Sequence, residues 1–255
     1  MMNLAEFEGR IYGALPWRVA PDAVGDFVEV TGDDHERWSS LAPPGFAAAA
    51  LFAVAPDLLA ELYQHSVIHG EQTFAWKGPI TIGDLVDVTG TVTRVRERGG
   101  VFFVTFEMTA GSILSGTSLF LASGEAIPAG DPGFERPEPP HGYRGEPGEG
   151  ELSASRADLI RYASATRDWN PVHWDHEAAV AAGFPGVVVH GLLQAAWALR
   201  VFTEANQESP RSARFRFRNP LLPARPIGVS VEGVQVTLSD VDTEYLTATI
   251  STSDE

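Results

Sequence analysis

The chain has 255 residues, of which 44% are hydrophobic and 20% are charged. This composition excludes disordered and collagen-like proteins and is sufficient for one large domain or two domains of about 100–130 residues. Eighteen basic against 34 acidic residues leave a net charge of -16, which argues against nucleic acid or an anionic membrane surface as a partner. Because there is no cysteine, disulfides, thiolate zinc sites and cysteine nucleophiles are excluded.

The N-terminal sequence lacks the features of a targeting segment. Residues 1–8 carry neither a basic stretch nor an apolar core, so no secretory signal is expected. The most apolar run, 45–54, ends close to Pro56 and is shorter than a membrane-spanning helix. We therefore expect a soluble cytoplasmic protein.

The first half of the chain predicts one helix packed on an antiparallel sheet. Residues 46–63 are largely apolar and predict a buried helix with a break at Pro56. Alternating apolar and polar residues over 84–95 and 101–108 predict two strands joined by a polar turn. A further apolar run over 113–122 predicts another strand that completes this sheet.

The composition changes abruptly after Ile127. Residues 128–150 are rich in proline and glycine and poor in apolar side chains, which predicts an extended linker. The predicted organisation is therefore a first domain over 1–127, a linker over 128–150 and a second domain over 151–255.

The second half repeats this pattern of elements. Ser155 and Asp158 have the spacing of a capping box, and the helix that they begin should end near Asp168, because Asn170 precedes a proline. Residues 192–205 are apolar on nearly every side and predict a buried helix. Two predicted strands follow, over 227–237 and 244–250, so both halves read as α+β layers.

The two halves also align with each other as an internal repeat. A shift of 141 residues pairs Phe74 with Phe215 and Pro79 with Pro220. The same shift sends 113–122 beyond the last residue, so we expect the second sheet to be one strand shorter than the first. That missing strand would leave unpaired backbone groups at a sheet edge.

A second alignment, with a shift of 135 residues, compares the polar residues that end the first helix of each half. It places Asp33 over Asp168, but His35 over Asn170 and Trp38 over His173. Only the second half therefore combines a carboxylate, an Asn-Pro turn and an imidazole.

The residues that most clearly indicate a catalytic site lie between 168 and 191. Asp168 and His173 flank the rigid Asn170-Pro171 turn, and such a pair can hold one water between a proton acceptor and a proton donor or orienting group. Gly191 opens the buried helix, where backbone N–H groups without helical partners can stabilise a developing negative charge. Its preceding residue, His190, is more often a structural residue in such a position.

The segment 162–191 resembles the signature of MaoC-like (R)-specific enoyl-CoA hydratases. The spacing D-x-N-P-x-H, the Gly183-Phe184 pair and the His190-Gly191 pair all match. In the first half, residues 43–46 and 69–74 resemble the N-terminal dehydratase domain that accompanies MaoC-like domains in double-hotdog enzymes. The resemblance implies an α+β double hotdog, with two antiparallel sheets that are each wrapped around a central helix.

The activity implied by the resemblance is reversible hydration of trans-2-enoyl thioesters to (R)-3-hydroxyacyl thioesters, carried by CoA or by an acyl carrier protein. Asp168 and His173 would be the catalytic pair, Asn170 would position them, and the N–H of Gly191 would hold the thioester oxygen. The first half would then be degenerate, leaving one active site per chain and freeing its helix to accommodate the acyl group. No cofactor is implied, and a homodimer is possible.

Three alternative interpretations remain open from the sequence. The enzyme could instead hydrate a short branched or dicarboxylic enoyl-CoA of the mesaconyl or methylfumaryl type, or the chain could be a non-catalytic acyl-thioester binding subunit. His173 and His176 could belong to a metal site, although a third strong ligand is not evident and we expect none.

The segment RFRFR is a candidate phosphate-binding site for the CoA or carrier portion of the substrate. On a strand, Arg214, Arg216 and Arg218 would lie on one face, opposite Phe215 and Phe217. A solvated strand face is an equally good interpretation for any single one of these arginines. No glycine-rich nucleotide loop is present in the sequence, so neither ATP nor NAD is implied.

Overall fold

The computed structural model describes residues 4–62, 65–126 and 150–253. The predicted linker, apart from Gly150, lies outside these residues. In the first half, the strands are β1 Ile11–Arg18, β2 His65–Trp76, β3 Leu85–Arg98, β4 Val101–Ala110 and β5 Leu114–Ala126, and the helices are α1 Pro21–Thr31 and α2 Ala47–Leu62. In the second half, the strands are β6 Glu151–Leu152, β7 Ser212–Phe217, β8 Ile227–Glu232, β9 Gln235–Ser239 and β10 Glu244–Ser251, and the helices are α3 Arg156–Thr166, α4 His176–Ala181 and α5 Gly191–Asn206.

All ten strands form one antiparallel sheet in the order β1-β3-β4-β5-β2-β7-β10-β9-β8-β6. Counted outward from the centre of the sheet, equivalent strands of the two halves follow in the same order, so each half contributes five equivalent strands. The centre of the sheet is the β2–β7 pair, in which Thr73 lies opposite Arg214. Those two residues are 141 apart, so the first repeat shift is confirmed at this seam and the two halves are related by a local two-fold axis.

Each half wraps its strands around one buried helix, as expected for a double hotdog. The apolar side chains of α2 and α5 pack against the strands of their own halves. The helix α2 runs through Pro56 without the predicted break, because its packing against the sheet stabilises a turn that proline weakens by removing one N–H. The stretch Pro44–Leu62 has the length and hydropathy of a membrane span, but 72% of its most apolar window is buried inside the folded chain.

The prediction that the second sheet lacks a strand is wrong. Residues 227–237 form two strands, β8 and β9, joined by a tight turn in which Gly233 has φ +60°. The strand β10 is therefore the counterpart of β5, and the second sheet is complete. The number of residues between equivalent positions of the two halves changes at this hairpin, because the hairpin of the second half is shorter. The strand β8 has six residues, whereas β3 has 14.

The helices α1 and α3 pack against each other and confirm the second repeat alignment. Phe27 and Tyr162, which that alignment pairs, are in ring contact at 5.8 Å. The predicted capping box begins α3: the Ser155 hydroxyl accepts from the Asp158 N–H, and the Asp158 carboxylate accepts from the Ser155 N–H. The helix α3 thus ends close to the predicted catalytic residues.

Candidate active site

The chain leaves α3 through a left-handed residue that turns Asp168 into the protein interior. Arg167 has φ +66°, and the following Asp168 is only 6% exposed. Asn170 is the N-cap of a short 3-10 turn over Pro171–His173, with its side-chain oxygen accepting from the Val172 N–H at 3.3 Å. Asn170 therefore shapes the loop that connects the two predicted catalytic residues.

His173 is oriented by the strand-like segment that leads into α5. Its Nδ1 lies 2.8 Å from the carbonyl oxygen of Val188. A carbonyl can only accept a hydrogen bond, so Nδ1 carries the proton and Nε2 of the neutral ring keeps its lone pair. The main chain reinforces this contact, because the Val188 N–H donates to the Val172 carbonyl.

Gly191 is the first residue of α5, so its N–H has no acceptor within the helix. A side chain at this position would collide with Phe217, since a Cβ atom would lie 2.9 Å from Cδ1 of that ring. Glycine is therefore favoured by the packing at the start of this helix. The four predicted catalytic positions, Asp168, Asn170, His173 and Gly191, line one cavity.

Burial displaces the pKa values of the pair in opposite directions. Desolvation raises the pKa of Asp168 to about 7, although the Asn170 N–H opposes this effect. Desolvation lowers the pKa of His173 to about 4, against the effect of the Val188 carbonyl. With one proton on the pair, that proton resides on the carboxyl group and the imidazole is free to accept another.

A second histidine completes this buried cluster. The His190 ring stacks on the His173 ring with a centroid distance of 3.8 Å, and one side-chain ligand atom from each of Asp168, His173 and His190 lies within 4.8 Å of the others. His176, the residue that the sequence suggested as a metal partner of His173, is outside this group. The sequence favoured a structural role for the His190 side chain over a catalytic one, because its neighbours could not be known from spacing.

The cavity at this site measures about 210 Å³ and crosses the seam between the halves. Its walls are mostly apolar. The first half contributes Phe52, Leu59, Val67, Ile68, His69 and Phe120, and the second half contributes Asp168, Asn170, Val172, His173, Phe184, Val188, Val189, Gly191, Leu192, Gln194, Phe217, Arg218, Asn219 and Pro220. The predicted catalytic pair thus comes from one half, whereas the apolar wall comes from both.

At the equivalent position in the first half, the aspartate is hydrogen-bonded by neighbouring side chains. The Trp38 indole N–H donates to the Asp33 carboxylate at 3.1 Å, and the Thr31 hydroxyl donates to its other oxygen at 3.0 Å. His35 is exposed and lies 3.3 Å from Glu29. The carboxylate is kept in the first half, but an indole replaces the base.

The three arginines of the RFRFR segment differ in their ion-pair partners and in their distance from the cavity. Arg214 makes two hydrogen bonds to Glu71 across the β2–β7 seam, at 2.8 and 2.7 Å, and Arg216 reaches the same carboxylate at 3.3 Å. Hydrogen bonds from these arginines lower the pKa of Glu71 despite its partial burial. Arg218 alone of the three lines the cavity, and it lies 3.5 Å from Glu244. Of the three, Arg218 therefore lies closest to the predicted catalytic residues, and the phosphate-binding role of the arginines stays a prediction.

Comparison with known families assigns each half separately. Residues 144–255 match the MaoC like domain. Residues 20–112 match the FAS1-like dehydratase domain region. The first match lies within the first half and ends before β5, whereas the second begins at residue 144, inside the predicted linker, and extends to the last residue.

Relatives with similar sequences and structures agree with these matches. The 3-hydroxyacyl-thioester dehydratase X of Mycobacterium tuberculosis is 29% identical over 195 residues, which cover 72% of this chain and 68% of the relative. The crystal structure of HtdX from the same organism has a TM-score of 0.70 at 23% identity and covers 96% of this chain and 100% of that one. A further M. tuberculosis protein, described as a double hotdog, has a TM-score of 0.62 at 13% identity over 95% of both chains. With its two five-stranded halves and its D-x-N-P-x-H loop, the chain combines a MaoC-like dehydratase domain with a FAS1-like dehydratase region in a double-hotdog fold.

Proposed function

We propose that this protein interconverts (R)-3-hydroxyacyl and trans-2-enoyl thioesters by removing or adding water at the Asp168–His173 pair. The observation that carries this proposal is the convergence of Asp168, His173 and the first N–H of α5, at Gly191, on one cavity. A neutral imidazole with a free Nε2 stands beside a carboxyl group that keeps its proton up to about pH 7. These are the protonation states that elimination of water requires of a base and an acid.

In the dehydration direction, Nε2 of His173 removes the proton from C2 of the acyl chain. Asp168 donates its proton to the hydroxyl on C3, the C3–O bond breaks, and water leaves as the C2–C3 double bond forms. The N–H of Gly191 stabilises the negative charge that develops on the thioester oxygen. Hydration runs through the same steps in reverse, so the pair carries one proton in both directions.

The cavity supports an acyl thioester as the substrate class. Its apolar walls suit an acyl chain, and its volume of about 210 Å³ exceeds the roughly 150 Å³ of a cavity that binds benzene. Arg218 at the same cavity supplies a guanidinium group for a phosphate of CoA or of a carrier protein. The choice between these carriers, a cytoplasmic location and a homodimer stay predictions.

The test is an assay of the purified chain with a panel of trans-2-enoyl-CoA thioesters from crotonyl to hexadecenoyl, including mesaconyl-CoA. Loss of the enoyl absorbance with formation of the (R)-3-hydroxyacyl thioester, identified by chiral chromatography, is the expected result. Turnover of mesaconyl-CoA alone would favour the dicarboxylic alternative. Tight binding of the thioesters without any turnover would contradict the proposal and favour a binding subunit.

A further inference from the structure

His190 is a fully buried polar residue that the steps above do not use. It directly precedes α5 and is 0% exposed. Its Nε2 lies 3.2 Å from the main-chain oxygen of Asp168, and its ring stacks on His173 at an interplanar angle of 25°. One side chain thus contacts both members of the proposed catalytic pair.

The contact with Asp168 defines the protonation of this ring. A main-chain carbonyl only accepts a hydrogen bond, so Nε2 of His190 is the protonated nitrogen and donates to it. Its Nδ1 is buried and has no hydrogen-bond partner among the residues that the structure describes. Burial and the neighbouring His173 hold the pKa of His190 well below its ordinary value, so the ring is neutral and places no positive charge beside the base.

The first half of the chain shows what this position needs for packing alone. Phe46 directly precedes α2, as His190 precedes α5. Phe46 packs on Phe27 at 5.3 Å, and His190 packs on the equivalent Tyr162 at 4.8 Å. Both residues are buried. A phenylalanine therefore satisfies the packing in the half without the catalytic pair, and the histidine occurs where an Asp168 carbonyl and a His173 ring are present.

We propose that His190 is a positioning residue for the catalytic pair, whose Nε2–H holds the main-chain oxygen of Asp168 and whose ring supports the ring of His173. These contacts fix the acid and the base relative to each other and to the Gly191 N–H that follows His190 in the chain. The role depends on the proposed function of the site. A displacement of about 1 Å in such an arrangement can lower the rate by about two orders of magnitude.

Two substitutions separate positioning from packing. His190→Phe introduces the residue that the first half uses, which preserves the packing and removes the hydrogen bond. His190→Gln keeps an N–H that can reach the same carbonyl but removes the aromatic ring. His176→Gln is the matched control, because His176 also has a buried nitrogen without a partner but lies outside the catalytic cluster.

The variants are compared with the wild-type chain by steady-state hydration of trans-2-hexenoyl-CoA and by thermal unfolding. We expect His190→Phe to lower kcat by about tenfold to a hundredfold with KM changed less than about threefold, and with the unfolding midpoint nearly unchanged. His190→Gln should recover most of the lost kcat, and His176→Gln should leave both kinetic constants unchanged.

Two results would overturn this role for His190. The first is a His190→Phe variant with wild-type kcat. The second is an equal loss of kcat and of thermal stability in both His190 variants, which would indicate a structural role only. A wild-type chain that hydrates no member of the enoyl-CoA panel would instead contradict the proposed function, so the two failures are distinguishable.

Discussion

The protonation states of Asp168 and His173 determine the pH range over which this site can work. Dehydration requires a protonated Asp168 and a neutral His173, and hydration requires the same total number of protons on the pair. With pKa values of about 7 for Asp168 and about 4 for His173, one proton is present between these limits. The pair loses it as the pH rises through about 7 and gains a second as the pH falls through about 4.

We therefore expect kcat/KM to be highest between these two limits and to fall about tenfold for each pH unit well above the upper one. The measurement is a pH profile of kcat/KM in both reaction directions, in buffers of constant ionic strength. An activity that increases steadily from pH 7 to pH 9 would contradict the assignment of the upper limit to Asp168.

Burial of Asp168 raises its pKa, which suits its proposed role as an acid but lowers the stability of the folded chain at high pH. Its folded pKa of about 7 lies above the value of about 3.9 in an unfolded chain. The folded state therefore binds a proton that the unfolded state has released, and the resulting stability, present below pH 4, is lost as the pH rises from about 4 to about 7.

Asp168→Asn should remove this loss of stability at high pH. We expect the variant to be more stable than the wild type at pH 8 by an amount on the order of a few kcal/mol, and by much less at pH 5. Urea unfolding at both pH values measures the difference, and all other titrating groups cancel between the two proteins. An equal difference at pH 5 and pH 8 would show that the folded pKa of Asp168 is close to its ordinary value.

The cluster of Asp168, His173 and His190 also has donor atoms that a divalent metal accepts. Because the acid–base pair provides for both proton transfers, we expect hydration activity to be insensitive to EDTA. The measurement is the rate after prolonged dialysis against the chelator. Loss of activity that zinc restores would assign these side chains to a metal centre.

At the scale of the secondary-structure elements, the sequence correctly predicted the two buried helices and the Asn-Pro turn between Asp168 and His173 but missed one hairpin. The capping box and the Asn-Pro turn are local signals, so residues within a few positions determine where Asp168 and His173 lie. The hairpin at Gly233 was missed because 227–237 alternates like one strand, and only its central glycine indicated a turn. The role of His190 depends on contacts that no sequence spacing specifies.

The strand β7 likewise shows why the arginine pattern was only partly informative. Alternation placed Arg214 and Arg216 on one face, but their partner, Glu71, lies on β2 and is more than 140 residues away in the sequence. The pairing of Arg214 and Arg216 with Glu71 across the seam offsets part of the positive charge that the sequence pattern had assigned to a phosphate.

Substitutions at these arginines should therefore have different effects. We expect Arg218→Ala to raise KM for a CoA thioester by roughly tenfold, and to affect the corresponding pantetheine thioester much less, because a charge-assisted hydrogen bond to phosphate is lost. The effect should decrease with added salt. Arg214→Ala is the matched control, and a similar increase in KM in both variants would contradict the assignment of Arg218 to the phosphate.

At the scale of the whole molecule, the two halves have the same strand order but differ in the residues around their equivalent aspartates. Both keep five strands around one buried helix, and both keep the aspartate that follows the first long helix. In the first half, the hydrogen bonds of that aspartate are made by Trp38 and Thr31, whereas its helix α2 contributes Phe52 and Leu59 to the cavity. We therefore expect one catalytic pair per chain and an acyl-binding cavity that both halves line.

The most direct test compares Asp168→Asn with Asp33→Asn, two identical changes at equivalent positions of the repeat. Steady-state kinetics with trans-2-hexenoyl-CoA should show that Asp168→Asn lowers kcat by about two to four orders of magnitude with little change in KM. Asp33→Asn should retain nearly all of the wild-type kcat, because Trp38 occupies the position of the base. Equal losses in the two variants, or full activity in Asp168→Asn, would contradict catalysis by a single pair in the second half.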